Sequence, residues 1–254
     1  NKVLNRKEDP AHTAACWEAT MKDVERGYTD GPYNLEEVSR ILGTKNFRPT
    51  PRHPIEQSNK VREIDACNLS RINDMVTIRE KIRLPSPNYL MIATKRLCVE
   101  YKAKYGRTPR LRGLALDEKK AYRQIPVRPA HRKFTVIVLI DPVLKKPAYF
   151  VMVSHSFGLT AAVYNYNRRS ALLNEIMNKL FFVPALSYYD DKFAIEPKET
   201  ARSALDCTVA CHRLWGILYG EHKVQFGESV AILGVQYNLR CMHIDLTEDR
   251  RIAL

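Results

Sequence analysis

From residue 110 onward, the hydrophobic pattern of the sequence changes between strand-like and helix-like stretches in a fixed order. The order is strand, helix, strand, strand, helix, strand, with a hairpin inserted after the first strand. Strands are expected at 110–117, on both sides of Asp190 and Asp191, at 230–237 and at 241–246, the hairpin at 134–140 and 148–153, and helices at 160–181 and 198–218. An antiparallel sheet with two crossover helices on one face, the split βαβ or ferredoxin-like arrangement, satisfies this order. The sequence therefore predicts an α+β fold.

The N-terminal part of the chain is predicted to contain three helices and one strand. Asp9 and Pro10 are a helix-start pair, a capping side chain followed by proline at the first helical position. Helices are expected at 10–26, 34–42 and 87–106, each ending next to a glycine, and a strand is expected at 61–66. The segment 47–62 is rich in basic residues and proline, so no helix is expected there.

The charge of the sequence predicts a polyanionic partner. The 254 residues include 41 Lys and Arg against 28 Asp and Glu, a formal net charge of +13. Such an excess is common in nucleic-acid-binding proteins, although a basic surface without a partner is an alternative on charge alone. Membrane binding is disfavoured, because the basic residues are dispersed and no apolar stretch approaches the roughly 20 residues that span a bilayer.

The cysteines predict a reducing environment. Six are scattered along the chain without paired spacing, so they are expected to be free thiols in an intracellular compartment, with cytoplasm and nucleus not distinguished. Cys207, Cys211 and His212 could be proposed as zinc ligands, but no second Cys/His pair completes a tetrahedral set. Because Cys207 and Cys211 lie four residues apart in a helical apolar stripe, core packing is the preferred interpretation.

Three carboxylates are the candidate catalytic groups. Asp190 and Asp191 follow two tyrosines between two apolar stretches, so they are expected at the tip of a hairpin. Adjacent carboxylates repel each other unless solvent or a cation separates them; a plain polar turn is the alternative. Asp117 ends an apolar strand that a neighbouring position in the sheet could bring to the pair. Three carboxylates without Cys or His are hard oxygen donors, which suit Mg²⁺ rather than zinc.

The residues that follow Asp117 suit phosphates and a sugar. Three of them are basic and one is aromatic: Lys119, Lys120, Arg123 and Tyr122. Two Mg²⁺ ions roughly 3.5–4 Å apart would activate a primer 3′-hydroxyl and stabilise the leaving pyrophosphate. The three carboxylates, the basic and aromatic residues after Asp117 and the positive net charge of the sequence together predict nucleotidyl transfer on a polyanion.

Six short motifs, taken in order, resemble those of reverse transcriptases. Residues 116–127 resemble the first palm motif, in which an aromatic follows the aspartate by five residues, and residues 156–162 resemble the second. Residues 188–191 fit the Tyr-x-Asp-Asp of the family. The remaining matches are the fourth motif at 214–216 with Lys223, the primer grip at 232–234, and the fingers motif at 60–65 with Asn73. The resemblance covers roughly residues 45–240.

The resemblance implies a role for each matching residue. Asp117 and Asp190 would bind the metal ions directly, with Asp191 as a weaker ligand and the backbone carbonyl of Glu118 as a further one. Lys223 would protonate the pyrophosphate as a general acid. The incoming nucleotide would be bound by Lys60, Arg62, Tyr122, Phe157 and Gly158. Among these residues, Tyr122 would lie beneath the sugar. The primer grip would be Ile232, Leu233 and Gly234.

Three positions depart from the family pattern. Glu118 stands where the family usually has an apolar residue, which adds negative charge beside the metal ions, and Ser156 and Val163 replace two frequent prolines. These changes keep open a second reading, a domesticated nucleic-acid-binding domain that has lost catalysis. A viral-type RNA-dependent RNA polymerase is the other alternative; Tyr122 and Phe157 argue against it, because that family has a second aspartate and a Ser-Gly pair in the corresponding motifs.

The resemblance also implies the domain organisation and the partners. An N-terminal helical segment at 1–44 would be followed by fingers at 45–109 and a palm at 110–235. Residues 119–155, within the palm range, would contribute to the fingers. The start of a thumb connection would lie at 236–254, with the thumb largely missing. The expected activity is RNA-directed DNA polymerisation within a retroelement. The expected cofactors are two Mg²⁺ ions, for which Mn²⁺ could substitute, and the expected partners are an RNA or DNA template with its primer and deoxynucleoside triphosphates, without a membrane.

Overall fold

The computed structural model describes residues 10–57 and 60–252. The helices of these residues are α1 (Pro10–Glu25), α2 (Leu35–Leu42), α3 (Pro87–Tyr105), α4 (Thr160–Leu180), α5 (Lys198–Leu214) and α6 (Glu248–Ile252). The strands are β1 (Thr29–Tyr33), β2 (Thr50–Gln57), β3 (Lys60–Asp65), β4 (Leu111–Asp117), β5 (Val136–Ile140), β6 (Pro147–Met152), β7 (Leu186–Tyr188), β8 (Asp191–Pro197), β9 (Gln225–Gly227), β10 (Ser229–Ile232), β11 (Val235–Asn238) and β12 (His243–Leu246). In the part of the chain that the structure describes, no helix is both long and apolar enough to cross a bilayer.

The chain divides into two compact units. The first comprises residues 1–80 and 122–166, and the second comprises residues 81–121 and 167–254. The chain therefore passes from the first unit to the second twice, after β3 and again within α4. The predicted boundaries between fingers and palm stay a prediction.

The first unit is built on a five-stranded sheet with the order β1-β6-β5-β2-β3. The hairpin of β5 and β6 was predicted, and α1 covers it with Cys16 and Trp17, which pack against buried residues of both strands. Strands β1 and β2 were not predicted. Both contain proline, which cannot donate to the ladder and lowers the strand signal of a sequence, with Pro32 in β1 and Pro51 and Pro54 in β2.

Buried charges connect the elements of the first unit. Arg52 of β2 forms two hydrogen bonds with the Asp65 carboxylate, of 2.7 and 3.1 Å, and Arg123 donates to Asp23 of α1 over 3.2 Å. All four residues are buried. Removing one member would leave an uncompensated charge in the interior, at a cost of about 3–5 kcal/mol. The helix α1, within a segment that matched no family motif, is therefore an integral part of this unit.

The second unit is built on an antiparallel sheet with the order β7-β8-β4-β9. Taken with α4 and α5, these strands have the connectivity of a split βαβ layer. Leu173 of α4 and Leu205 of α5 belong to one core with Leu114 and Leu116 of β4, so both helices cover the same face of the sheet. The opposite face packs against α3 and the three-stranded sheet β10-β11-β12. The predicted α+β class is confirmed.

Two predicted elements were wrong in their bounds. The strand predicted at 230–237 is a hairpin, because Leu233 and Gly234 have φ values of 55° and 73° and form the two-residue turn between β10 and β11. The helix predicted to reach residue 218 ends at Leu214, since Gly216 adopts a left-handed conformation with φ of 64°. Trp215, which the predicted helix would have included, lies beyond its end and is 41% exposed.

Candidate active site

The sheet of the second unit brings the three aspartates to one edge. Asp117, the last residue of β4, is the direct cross-strand partner of Asp191, the first residue of β8. Tyr189 and Asp190 form the two-residue turn between β7 and β8, with Tyr189 at a φ of 51°. The predicted hairpin tip is therefore observed, and the carboxylates predicted to meet lie on adjacent strand ends.

Mutual repulsion affects the protonation of this group. Both Asp190 and Asp191 reach solvent, but the protein around them excludes enough water to raise their pKa values. Burial and the neighbouring charges of Asp190 and Asp117 raise the pKa of Asp191 to about 6. Burial, Asp117 and Glu118 raise the pKa of Asp190 in the same direction. Carboxylate oxygens are hard donors, the ligand type that magnesium prefers.

Lys223 contributes a positive charge to this group. Its Nζ donates to Oδ2 of Asp117 in an ion pair. The pair lies beside a cavity of about 580 Å³ that is also lined by Asp191 and by the predicted primer-grip residues Ile232, Leu233 and Gly234. Within residues 10–57 and 60–252, no three potential ligand side chains are grouped closely enough to enclose a metal ion. Because Asp117 is turned toward Lys223, the aspartates would have to reorient to share one ion.

The repulsion predicts an unusual stability change for Asp191→Asn. The ordinary carboxyl pKa of 3.8 applies to the unfolded chain and about 6 to the folded one, so the folded protein binds the proton more tightly. The free energy of unfolding of the metal-free protein should therefore fall as the pH rises from about 4 to about 6. Asp191→Asn removes this loss, and we expect a higher melting temperature than the parent at neutral pH.

Thermal unfolding in a chelating buffer measures this difference at neutral and at acidic pH. The advantage of Asp191→Asn should shrink in acid, where the parent carboxyl is protonated in both states. Asp206→Asn, which removes a solvent-exposed carboxylate of α5, is the matched control and should show no such gain. Equal melting temperatures of parent and Asp191→Asn at neutral pH would mean that the repulsion is absent.

Glu118 lies in a different environment from the one expected. Its side chain is 2% exposed, points into the interior and forms an ion pair with Arg169 of α4. Its negative charge still contributes to the raised pKa of Asp190. Sequence reasoning missed two further charged groups nearby, the buried Lys192 and the half-buried Arg169, and did not place the buried His212 beside Glu118. A charged or polar residue inside an otherwise apolar segment could have indicated a buried polar group. Lys192, which directly precedes the apolar residues of β8, is an example.

The predicted nucleotide-pocket residues of the first unit form a local cluster. The half-buried ring of Tyr122 lies 5.8 Å from the ring of Phe157 and 5.5 Å, edge to face, from that of Tyr166. Gly158 has a φ of 112°, and a Cβ at this position would overlap the carbonyl oxygen of Asp65. The structure therefore requires glycine at position 158.

The end of β3 holds this cluster in place. The Asp65 amide donates to the Phe157 carbonyl over 2.9 Å, and the Asn73 side chain bridges the Gly158 carbonyl and the Thr160 amide. Arg62 is exposed on β3 opposite Ile55. The side chain of Lys60 lies outside the described part of the chain, so its predicted contact stays a prediction.

The cysteines of α5 take part in packing. Cys211 is buried in the core between the helices and the sheet, and Cys207 packs against the same core. Both are free thiols.

Comparison with known proteins defines the fold. No protein-family model matches the sequence, and no curated protein matches it. Among solved structures, a foamy viral protease–reverse transcriptase in complex with double-stranded DNA is similar, with a TM-score of 0.70 and 11% sequence identity. The match covers 99% of this chain and 39% of the foamy viral chain. The chain therefore has a reverse-transcriptase-like fold and spans 39% of the length of that protein.

Proposed function

We propose that this chain carries the fingers and palm of an RNA-directed DNA polymerase. One observation carries the proposal: Asp117, Asp190 and Asp191 lie at adjacent strand ends of a reverse-transcriptase-like fold, where burial and mutual repulsion disfavour the charged state of Asp190 and Asp191. A bound cation would favour the charged state of both carboxylates. In this proposal the second unit is the palm and the first unit supplies the fingers.

Each aspartate has its own task in the proposed reaction. Asp117 and Asp190 would hold two divalent cations, and the Glu118 backbone carbonyl and the more weakly bound Asp191 would complete the ligand set. Two Mg²⁺ ions, when bound, lower the pKa of a primer 3′-hydroxyl and neutralise the charge that develops on the leaving pyrophosphate. Lys223 must leave Asp117 when cations bind, and its ammonium is then available to donate a proton to the pyrophosphate.

The residues that match the other family motifs bind the two substrates. Lys60 and Arg62 contact the triphosphate, and Tyr122, Phe157 and Gly158 form the pocket for the nucleoside. Ile232, Leu233 and Gly234 hold the primer next to Asp117, on the wall of the 580 Å³ cavity. Support for a nucleic-acid duplex as the partner comes from the net charge of +13 and from the double-stranded DNA in the foamy viral structure.

A nucleic-acid-binding domain without catalysis is the second candidate. The ion pair between Lys223 and Asp117 favours it, because a lysine that permanently neutralises a carboxylate would prevent metal binding. Duplex binding would then persist without nucleotide addition. The two candidates differ only in chemistry, so a catalytic assay separates them.

Binding of template–primer should depend steeply on salt in either case. Each phosphate that a Lys or Arg neutralises releases counterions, and a protein with several such contacts loses more than about tenfold in affinity between about 50 and 200 mM salt. Fluorescence anisotropy with a labelled RNA–DNA duplex measures the slope. A flat response would show that the basic surface does not follow a nucleic-acid backbone.

Primer extension tests the proposal itself. A DNA primer on an RNA template, supplied with Mg²⁺ and the four deoxynucleoside triphosphates, should be extended by the protein. Duplex binding with no extension, in Mg²⁺ and in Mn²⁺, would instead establish the binding domain.

A further inference from the structure

A cluster of buried charged and polar groups lies directly behind the aspartates, inside the core of the second unit. Its members come from four different elements: Glu118 after β4, Arg169 of α4, Lys192 of β8 and His212 of α5. Glu118, Lys192 and His212 are at most 2% exposed. The proposed reaction assigns no task to any of these side chains.

Strand periodicity explains why Glu118 faces inward. Successive side chains of a strand point to opposite faces, and Leu114 and Leu116 of β4 point into the core under the helices. Glu118 continues their face, whereas Asp117 points to the other side. The inward carboxylate pairs with the Arg169 guanidinium, and its Oε1 lies 3.7 Å from Nε2 of His212. Burial alone would raise the pKa of Glu118, but the neighbouring His212, Arg169 and Lys192 hold it below its usual range.

His212 and Lys192 are held by their own hydrogen bonds. His212 Nδ1 lies 2.7 Å from the Thr208 carbonyl, so this nitrogen carries the proton and Nε2 faces Glu118. Lys192 Nζ donates to Asn174 Oδ1 and to Ser187 Oγ, both over 2.7 Å. Burial lowers the pKa of Lys192 to about 8. The cluster therefore links both helices to the strand that begins with Asp191.

The backbone on either side of Glu118 makes the contacts that fix the aspartates. The Glu118 amide donates to the Asp190 carbonyl over 3.0 Å. On the other side, the Asp117 carbonyl accepts from the Gly220 amide and the Lys119 amide donates to the Leu218 carbonyl, both over 2.9 Å. A displacement of the Glu118 backbone would therefore disturb the positions of both Asp117 and Asp190.

Stability does not explain why this cluster is charged. Replacing a buried ion pair by apolar residues of similar volume is often neutral or stabilising, so stability alone does not require a charged pair at these positions. A charged pair has directional contacts that an apolar pair lacks. We propose that the ion pair between the buried Glu118 and the half-buried Arg169 positions Asp117 and Asp190 for metal binding, which makes Glu118 and Arg169 positioning residues. This inference rests on the proposed function of the aspartates.

Three variants separate positioning from stability. Glu118→Gln keeps the volume of the side chain and removes its charge. Glu118→Leu combined with Arg169→Leu removes both charges of the pair, so that neither member is left without the other, while Lys192 keeps its hydrogen bonds to Asn174 and Ser187. Glu196→Gln is the matched control, because Glu196 is also buried on β8 but its carboxylate contacts Thr200 at the far end of the strand.

The measurement is Mn²⁺ affinity from the electron paramagnetic resonance signal of free Mn²⁺, with the melting temperature recorded in parallel. We expect Glu118→Gln and the double-leucine variant to bind Mn²⁺ about tenfold or more weakly, the usual effect of removing a partner that orients a ligand. The Glu196→Gln variant should bind like the parent. In single-nucleotide addition, kcat should fall while KM for the nucleotide stays unchanged.

The outcomes distinguish this inference from the proposed function. A double-leucine variant that is as stable as the parent and binds Mn²⁺ equally well would overturn the positioning role and leave the aspartate site intact. A parent that binds no Mn²⁺ would overturn both. Weaker binding in a variant whose melting temperature is unchanged supports the positioning role, because a purely structural pair would not alter metal affinity at constant stability.

Discussion

Replacing Asp190 by asparagine is expected to leave the fold intact and to reduce primer extension about a thousandfold or more, since losing ~4 kcal/mol of transition-state stabilisation has this effect on rate. The fold should survive because Asp190 lies in an exposed turn, where Asp117 and Glu118 already disfavour its charge. The reaction should not survive, because an amide supplies one neutral oxygen where the proposed metal site requires an anionic ligand.

The controls for Asp190→Asn separate chemistry from folding and binding. Asp206→Asn makes the same substitution on the exposed surface of α5 and should extend primers like the parent. Melting temperature and duplex affinity of Asp190→Asn should both match or exceed those of the parent. Extension within about tenfold of the parent rate, measured in Mg²⁺, would refute the assignment of Asp190 as a metal ligand.

Shortening Tyr122 to alanine is expected to abolish the preference for deoxyribonucleotides. The resemblance to reverse transcriptases implies that this ring lies beneath carbon 2 of the incoming sugar. A ribose 2′-hydroxyl would then collide with the ring and lose its hydrogen bonds to water, which together cost a few kcal/mol, a discrimination of about a hundredfold or more. Phe157 and Tyr166 contact the ring at two of its sides and keep it from rotating away.

Single-nucleotide extension with deoxyribonucleotide and ribonucleotide in parallel measures the effect. The ratio of the two kcat/KM values should collapse in Tyr122→Ala and persist in Tyr122→Phe, which keeps the ring and removes only the hydroxyl. A parent that uses both sugars equally, or a ratio that Tyr122→Ala leaves unchanged, would assign Tyr122 to core packing. The RNA-polymerase alternative would then gain support.

Local patterns were sufficient to predict much of the fold. The helices of residues 87–105 and 160–180 were both predicted within one residue. The first has clear boundary residues, with Ser86 before Pro87 at its start and Gly106 at its end. The pair of aspartates was placed at a hairpin tip because apolar residues flank it on both sides. These features depend on neighbours in the sequence, so a single sequence contains them.

Features that depend on distant residues were not predicted. Strand β2 is formed by pairing with β3 and with β5, of which β5 is distant from it in sequence. Its two prolines lower its intrinsic strand propensity, so the sequence did not indicate a strand. Glu118 was expected to add charge beside the metal ions, yet alternation along β4 was enough to predict that its side chain points away from that of Asp117. Its partners Arg169 and His212 could not be predicted, because they lie about 50 and 94 residues further along the chain, on two helices.

Template-directed addition of one nucleotide tests the central claim most directly. The protein and an RNA template with a DNA primer are mixed above their dissociation constant, so that weak binding cannot hide the chemistry, and each of the four deoxynucleoside triphosphates is supplied separately with Mg²⁺. The proposed function predicts that the template base decides which nucleotide is added, and that Asp190→Asn adds none at a comparable rate. Failure to add any nucleotide to a fully bound primer, or addition that ignores the template base, would contradict it.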